Sequence, residues 1–576
     1  MKSVWRPLAL LVLPPLLLAA CAGPAPRWTP DSVAPPAGAV EAEPAPPLPI
    51  RATLPETPRD APGGPIPLTR DGAILSALLN NRSIEVARLS PRIAATYVPE
   101  ARAAFDPALL ATVSAGHMSR PATAPGYSGS TGGSSGGSAN ALQSAAQVLY
   151  QTGRIFSVLE QAERRTDDTD DAQGSATLEQ TLPTGTLLYL TGTASGEDSD
   201  ISGDAYEGGW TVGLSQPLLE GAGRTVNLVA LRQAGNRAAQ GEHVFRAEVI
   251  DVVRQVELAY CELMLAQAVL DIREFAVALA DEQLRQDEQR FRVGKVIEGD
   301  VMASRAEKAS RMADLTDAQS AIRARNIALV RLLNPDTPDS WAVSFDPADA
   351  PEVAEVTIDA AASERLSLQY RPELAQAKLD AANRDLDLLE TRNALLPRLD
   401  LFAEYGHNSY GESSSGIARR LGDSAYDEYR VGVQFQAPLL NRAEKARHER
   451  ARLSADQAER LVADIAQAIA AEVRHAAIEV RRQWERIGAT QEALKSRAEQ
   501  LRVAQGRNAA GKTTNLDLLI VQRDFIQARV DEVTAKVRYI QALTALYAAE
   551  GTILERRGVA LDRFAEDRAE ASGEQP

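Results

Sequence analysis

The chain has 576 residues, 44% hydrophobic and 24% charged, enough to bury a large core. Its formal net charge of -16 excludes nucleic acid as a natural partner, because phosphate binding needs a basic surface. Two cysteines exclude an intramolecular disulfide framework, and no segment approaches the ~20 apolar residues of a membrane-spanning helix, so any membrane crossing must be β-structure.

Residues 1–20 place Lys2 and Arg6 ahead of a short apolar run from Leu8 to Ala20, the organisation of a signal peptide. The end of that run, Leu18-Ala19-Ala20-Cys21, resembles the bacterial lipobox, whose cysteine is acylated and becomes the first mature residue. The competing reading is a plain secretory signal with a chance cysteine. Ala22 follows where an aspartate would resemble the signal for inner-membrane retention, which points to the outer membrane. Residues 21–67 are Pro- and Ala-rich and read as an extended, semi-stiff tether.

From residue 68 one unit is given twice, at 68–333 and 363–551, with a connector at 334–362 and a polar tail at 552–576. In each copy a helix feeds a strand: Asn81-Arg82-Ser83 pairs with Tyr370-Arg371-Pro372 and Pro107 with Pro397, at offsets 289 and 290. Leu109 to Ala115, Trp210 to Ser215, Leu399 to Tyr405 and Tyr429 to Phe435 each alternate with period two, predicting strands with one apolar face. At Pro217-Leu218-Leu219 against Pro438-Leu439-Leu440 the offset falls to 221, so the first copy carries about 69 extra residues. That insert, between Gly116 and Tyr206, holds the Gly129-to-Ser138 tract, an acidic run at Asp167-Asp168-Thr169-Asp170-Asp171 and a hairpin signal at Pro183-Thr184-Gly185. Being one-sided, it is expected to be mostly extracellular; whether 117–205 adds barrel strands stays open.

The run from Arg224 to Arg292 predicts one unbroken, proline-free helix of 69 residues. Val249, Val253, Val256, Tyr260, Leu263, Gln267 and Leu270 form a coiled-coil seam, and Ile250, Val252, Leu258 and Leu265 lie off it, so two sides should have neighbours. Val293-Gly294-Lys295 breaks the helix, and a return segment runs from about Asp300 to Leu333. The second copy has a helix from Asn441 to Ala509, also 69 residues, a tip at Ala510-Gly511-Lys512, and a return from about Asp517 to Glu550. Aligning Gly294 with Gly511 also pairs Asp300 with Asp517.

The order helix, strand, strand, long helix, tip and return helix, given twice between Leu68 and Gly551, resembles the TolC-type outer membrane factor family, in its lipid-anchored branch given Cys21. The resemblance implies a mostly α fold with a membrane β-barrel: three chains share one barrel in the outer membrane, continued by an α-barrel tunnel of long helical hairpins across the periplasm. A few strands per chain cannot close a barrel with an open lumen, which makes oligomerisation a physical requirement. It implies the exit duct of a tripartite efflux or type I secretion system, a passive homotrimer joined to a periplasmic adaptor and an inner-membrane pump of RND or ABC type, and surrounded by outer-membrane lipid. The competing reading is a non-conducting, periplasm-spanning structural lipoprotein. The substrate, whether drug, metal or protein, and the choice of pump are not legible.

In that family acidic rings hold the periplasmic entrance closed, which would make Asp300 and Asp517 gate residues; both also suit plain helix-start carboxylates. Thr513 stands where a tip arginine is usual and Ile520 where a second acid is, so the gate is expected to close by other contacts. Val293, Gly294, Lys295, Ala510, Gly511 and Lys512 are expected to dock the adaptor, with glycine permitting close backbone approach. Gly506 to Thr513 matches the GxxxxGK[ST] phosphate-loop pattern but follows a helix rather than a strand. His117, His243, His407, His448 and His475 show no i, i+4 pairing, and neither an enzyme, a cofactor nor a metal is expected.

Overall fold

The computed structural model describes residues 65–121, 166–199, 204–335, 340–350, 353–412 and 426–559. The signal peptide, Cys21, nearly all of the tether and the Gly129-to-Ser138 tract lie outside them. In chain order they form β1 (Ile66–Leu68), α1 (Arg70–Asn80), α2 (Arg82–Ala87), α3 (Leu89–Arg102), β2 (Ala108–Pro121), β3 (Thr166–Thr181), β4 (Leu187–Ser199), β5 (Ala205–Pro217), α4 (Arg224–Asn227) and α5 (Val229–Arg292). There follow α6 (Glu298–Leu333), β6 (Phe345–Pro347), α7 (Ala360–Tyr370), α8 (Pro372–Asn393), β7 (Arg398–Gly411), β8 (Asp427–Gln436), α9 (Arg442–Ala509), α10 (Asn515–Glu550) and α11 (Ile553–Arg556). Two compact units result, a sheet unit within Arg102–Val229 and Leu389–His448 and a helical unit within Ala34–Ala101, Ala230–Leu388 and Glu449–Pro576.

The sheet unit is one antiparallel sheet in the order β2-β3-β4-β5-β7-β8. Register puts Leu109, Leu178, Leu190, Val212, Tyr405 and Tyr429 in one row across all six strands. The adjacent row, Leu110, Thr177, Thr191, Thr211, Gly406 and Glu428, points the other way. The apolar face is open, with Val113 79% and Tyr429 82% exposed. Each such side chain left in water forgoes roughly 1.5–3 kcal/mol, so a face this wide requires an apolar cover.

The insert adds β3 and β4 between β2 and β5, the two strands that the repeat shares, so its described part is sheet rather than loop. Its hairpin closes at Pro183-Thr184-Gly185, with Gly185 at φ +85° and the Thr184 carbonyl accepting from the Gly223 amide. That turn therefore lies at the sheet end where β5 leaves for α4, opposite the end that holds Gly116.

The long helix is not unbroken from Arg224. Asn227 Nδ2 donates to the carbonyls of Gly221 (2.7 Å) and Gly223 (2.9 Å), which ties the first turn back to the strand exit. Leu228 falls outside helical geometry, and α5 starts at Val229 with 64 residues, about 96 Å at 1.5 Å per residue. The second long helix, α9, runs 68 residues from Arg442, behind Asn441 in the left-handed region.

Within the helical unit the seam of α5 is buried from Val249 to Leu263, while Gln267 and Leu270 are half-buried. It packs on α1 through Ile74 and Leu78, on α6 through Leu329 and Leu333, and on α11 through Ile553 and Leu554. The same helix meets α10 on another side, through Cys261 and Met264 against Val537 and Ile272 against Ile526, giving it the expected two sets of neighbours. Val473, Val480 and Ile487 of α9 cover Ala535, Tyr539 and Leu546 of α10. Residues from 552 onward do not begin as a polar tail: Ile553 and Leu554 are fully buried, and Arg557 pairs with the buried Glu257 (2.5 and 2.9 Å). Burial of two leucine-sized side chains outweighs leaving them in solvent.

The connector is held by a tyrosine from each repeat. Tyr260 Oη of α5 donates toward the Leu68 carbonyl (3.0 Å) and Asp349 Oδ2 (2.8 Å); Tyr539 Oη of α10 donates to the Ala354 carbonyl (3.1 Å) and accepts from the Val356 amide (3.1 Å). Beside them β1 and β6 pair in parallel. Removing a buried hydroxyl leaves its partners unsatisfied, so Tyr260→Phe is expected to destabilise the protein by about 1–2 kcal/mol and lower its thermal midpoint in detergent, whereas Tyr426→Phe at an exposed site should not.

Candidate functional site at the hairpin tips

Both tips close in the same way. The Lys295 amide donates to the Arg290 carbonyl (2.8 Å) and the Gly294 amide to the Phe291 carbonyl (2.9 Å); Lys512 and Gly511 repeat this on Arg507 and Asn508 (2.8 and 3.0 Å). This is the Schellman arrangement, whose pivot residue takes a left-handed backbone, and Gly294 and Gly511 both have φ +71°. A Cβ at either glycine would meet nothing within 4 Å. Glycine is thus required by backbone geometry, not by close approach of backbones within the chain. Val293, Lys295, Ala510 and Lys512 are exposed, as are Ile297 and Leu516 beside them.

The two aspartates differ in role. Asp517 completes a capping box: its amide donates to Thr514 Oγ1 (3.1 Å), and its carboxylate accepts from the Thr514 hydroxyl (2.6 Å) and the Thr513 hydroxyl (3.3 Å). The Thr514 hydroxyl and amide hold its carboxyl below the usual range. Asp300 lies in the first turn of α6, and its backbone carbonyl accepts from Asn515 Nδ2 (3.2 Å), which links the two tips.

The central carboxylate is one that sequence reasoning passed over. Asp287, one and a half turns before the end of α5, is 1% exposed. It accepts from Gln283 Nε2 (3.1 and 3.0 Å) on its own helix, from Ser304 Oγ of α6 (2.6 Å) and from Asn515 Nδ2 of α10 (3.0 Å), with Arg290 Nη1 3.9 Å away. Arg290 Nη1 also donates to Asn508 Oδ1 of α9 (2.5 Å), so four helices meet at one polar node. The signal was Gln283, Asp287 and Arg290 at i, i+4 and i+7 on one helix face, which looks like an ordinary solvated stripe until neighbours cover it. Behind the second tip a groove of about 680 Å³ runs between α9 and α10, lined by Glu492, Glu499, Gln500, Arg507, Thr513 and Asp517.

Gly506 lies inside α9, so the stretch to Thr513 joins helix to helix and lacks the strand that a phosphate loop follows. His117 and His407 are not solitary: each bonds an aspartate on the neighbouring strand, His117 Nδ1 with Asp170 (2.7 Å) and His407 Nδ1 with Asp427 (3.0 Å). The two histidines are repeat equivalents at the offset of 290 already marked by Pro107 and Pro397. Among the described residues no three His, Cys, Asp or Glu side chains gather as metal ligands, and no helix is long and apolar enough to cross a membrane.

Residues 180–335 and 365–552 match the family described as outer membrane efflux protein. The outer membrane protein TolC of Vibrio cholerae is 25% identical over 338 residues, which is 57% of this chain and 74% of that protein. The proteases secretion protein PrtF of Dickeya chrysanthemi is 24% identical over 372 residues, covering 60% and 73%. In fold, the Campylobacter jejuni CmeC outer membrane channel superposes with a TM-score of 0.59 at 16% identity, over 87% of this chain and 89% of that one.

Asp287→Ala removes the acceptor shared by Gln283, Ser304 and Asn515 and leaves the buried Ser304 hydroxyl without the carboxylate it donates to, at about 1–3 kcal/mol. Hydrogen exchange of the amides from Glu288 to Ser304 should accelerate in this variant, while exchange around Tyr260 stays as in the parent; equal protection at the tips would contradict the assignment.

Proposed function

Because the chain belongs to the outer membrane efflux protein family, we propose that it is a passive exit duct of a tripartite efflux or type I secretion system, a homotrimer anchored by an acylated Cys21. The observation that carries this reading is the sheet: six strands with one continuous apolar face, one polar face and, among the described residues, two edges without a strand partner. Lipid satisfies the first, water in a lumen the second, and a neighbouring copy the third. A non-conducting structural lipoprotein would not need a polar inner face, so the duct is favoured.

In this reading the tips dock a periplasmic adaptor through the exposed Val293, Ile297 and Leu516 with the flanking lysines, and an inner-membrane pump supplies the driving force. The Asp287 node latches the first hairpin to the second while the entrance is closed, in place of the tip arginine whose position Thr513 occupies. Asp300 and Asp517 contribute negative charge at the same end, Asp517 while also capping its helix.

Two measurements test the proposal. Purified protein in planar bilayers is expected to give discrete single-channel steps and to migrate as a heat-dissociable trimer, and the complete absence of both would refute the duct. Mass spectrometry of the mature N-terminus should show a lipid-modified Cys21, with Cys21→Ala abolishing the modification; an unmodified terminus in the parent protein would remove the anchor from the account.

A further inference from the structure

One transverse row of the polar face is wired together. Register aligns Glu179, Tyr189, Gly213, Glu404 and Arg430 across β3, β4, β5, β7 and β8. Gly213 has no side chain, and a Cβ there would fall 2.3 Å from the Tyr189 ring. Tyr189 therefore lies flat over β5 and donates its hydroxyl to Glu404 Oε1 on the far strand (2.6 Å). Arg430 Nη1 stands 3.5 Å from Glu404 Oε2, and its Nη2 donates to Glu428 Oε1 (2.9 Å), while Glu428 Oε2 accepts from Asn408 Nδ2 (3.3 Å). The Arg430 side chain is 61% exposed and those of Glu404 and Glu428 are 27% and 53% exposed, so the group borders solvent rather than a core.

We propose that this belt, with Glu404 and Arg430 at its centre, is a charge-selecting element of the duct. The inference rests on the duct reading given above. In and beside this row each chain places three carboxylates, those of Glu179, Glu404 and Glu428, and the single guanidinium of Arg430, an excess of two negative charges that three copies would multiply. Rings of fixed acidic charge raise the local concentration of cations and exclude anions. Tyr189 is a positioning residue: its hydrogen bond holds the Glu404 carboxylate in place over β5. Arg430 moderates the field, and its removal should sharpen selectivity rather than abolish it.

The test is the reversal potential of full-length protein in planar bilayers under a potassium chloride gradient. Arg430→Gln is expected to raise the potassium-to-chloride permeability ratio roughly twofold or more, and Glu404→Gln to lower it by a similar factor. Arg430→Lys, which keeps the charge, should stay near the parent value. Arg398→Gln makes the same charge change at a cation already paired with Asp400 (2.6 Å) in another row, and should have a smaller effect. Unchanged ratios in both Arg430→Gln and Glu404→Gln, with channels still open, would overturn the proposal, as would an equal shift from Arg398→Gln. Absence of conductance in the parent protein would instead count against the duct reading itself.

Discussion

The backbone groups on the outer sides of β2 and β8 constrain everything else. Among the described residues neither strand has a further strand beside it, yet the sheet carries an apolar face that only lipid or another apolar surface can cover. In hydrocarbon each unpaired amide or carbonyl costs several kcal/mol, and a sheet of six strands cannot satisfy its own edges. Closure by further copies answers both demands at once. In the proposed duct it would also account for the insert: two extra strands per chain would widen a shared barrel and leave room for a lumen lined by the Thr177, Thr191 and Thr211 face.

The helical unit spends its polar residues in two different ways. Ion pairs such as Arg482 with Glu479 and Arg502 with Glu499 lie on exposed helix faces, and pairs of that kind contribute little to stability. At the tips polar residues are buried and shared between helices, where removal of one member weakens the bonds of several others. Such a node is either fully made or broken, which is the property a two-state entrance needs. The Schellman turns next to it fix where each hairpin ends without occupying the outer surface, leaving apolar and basic side chains free to meet a partner.

Much of this was legible in the residues. Period-two alternation located four of the sheet strands, and the heptad-like seam of α5 located the helix core from Val249 to Leu263. The repeat aligned the two tips because left-handed turns demand glycine wherever they occur. Three things were hidden for physical reasons. The start of α5 was misplaced because the Asn227 side chain competes with helical hydrogen bonding, which periodicity does not see. The strands of the insert are rich in Thr, Gly and Asp, so their alternation is weak until their neighbours pair with them. Asp287 looked like any exposed acid, since burial of a polar residue at a four-helix junction depends on partners more than 200 positions away, such as Asn515.

The central claim is that the edge of β2 in one copy pairs with the edge of β8 in the next. Cysteines placed on the polar face of each edge, Ser114→Cys with Arg430→Cys, Gln434→Cys or Glu428→Cys in turn, test it directly by oxidation in the native membrane followed by denaturing electrophoresis. The account predicts covalent dimers and trimers for at least one pairing, reversed by reductant and absent from each single-cysteine chain. Monomers alone in every pairing, from protein that still fractionates with the outer membrane, would contradict it.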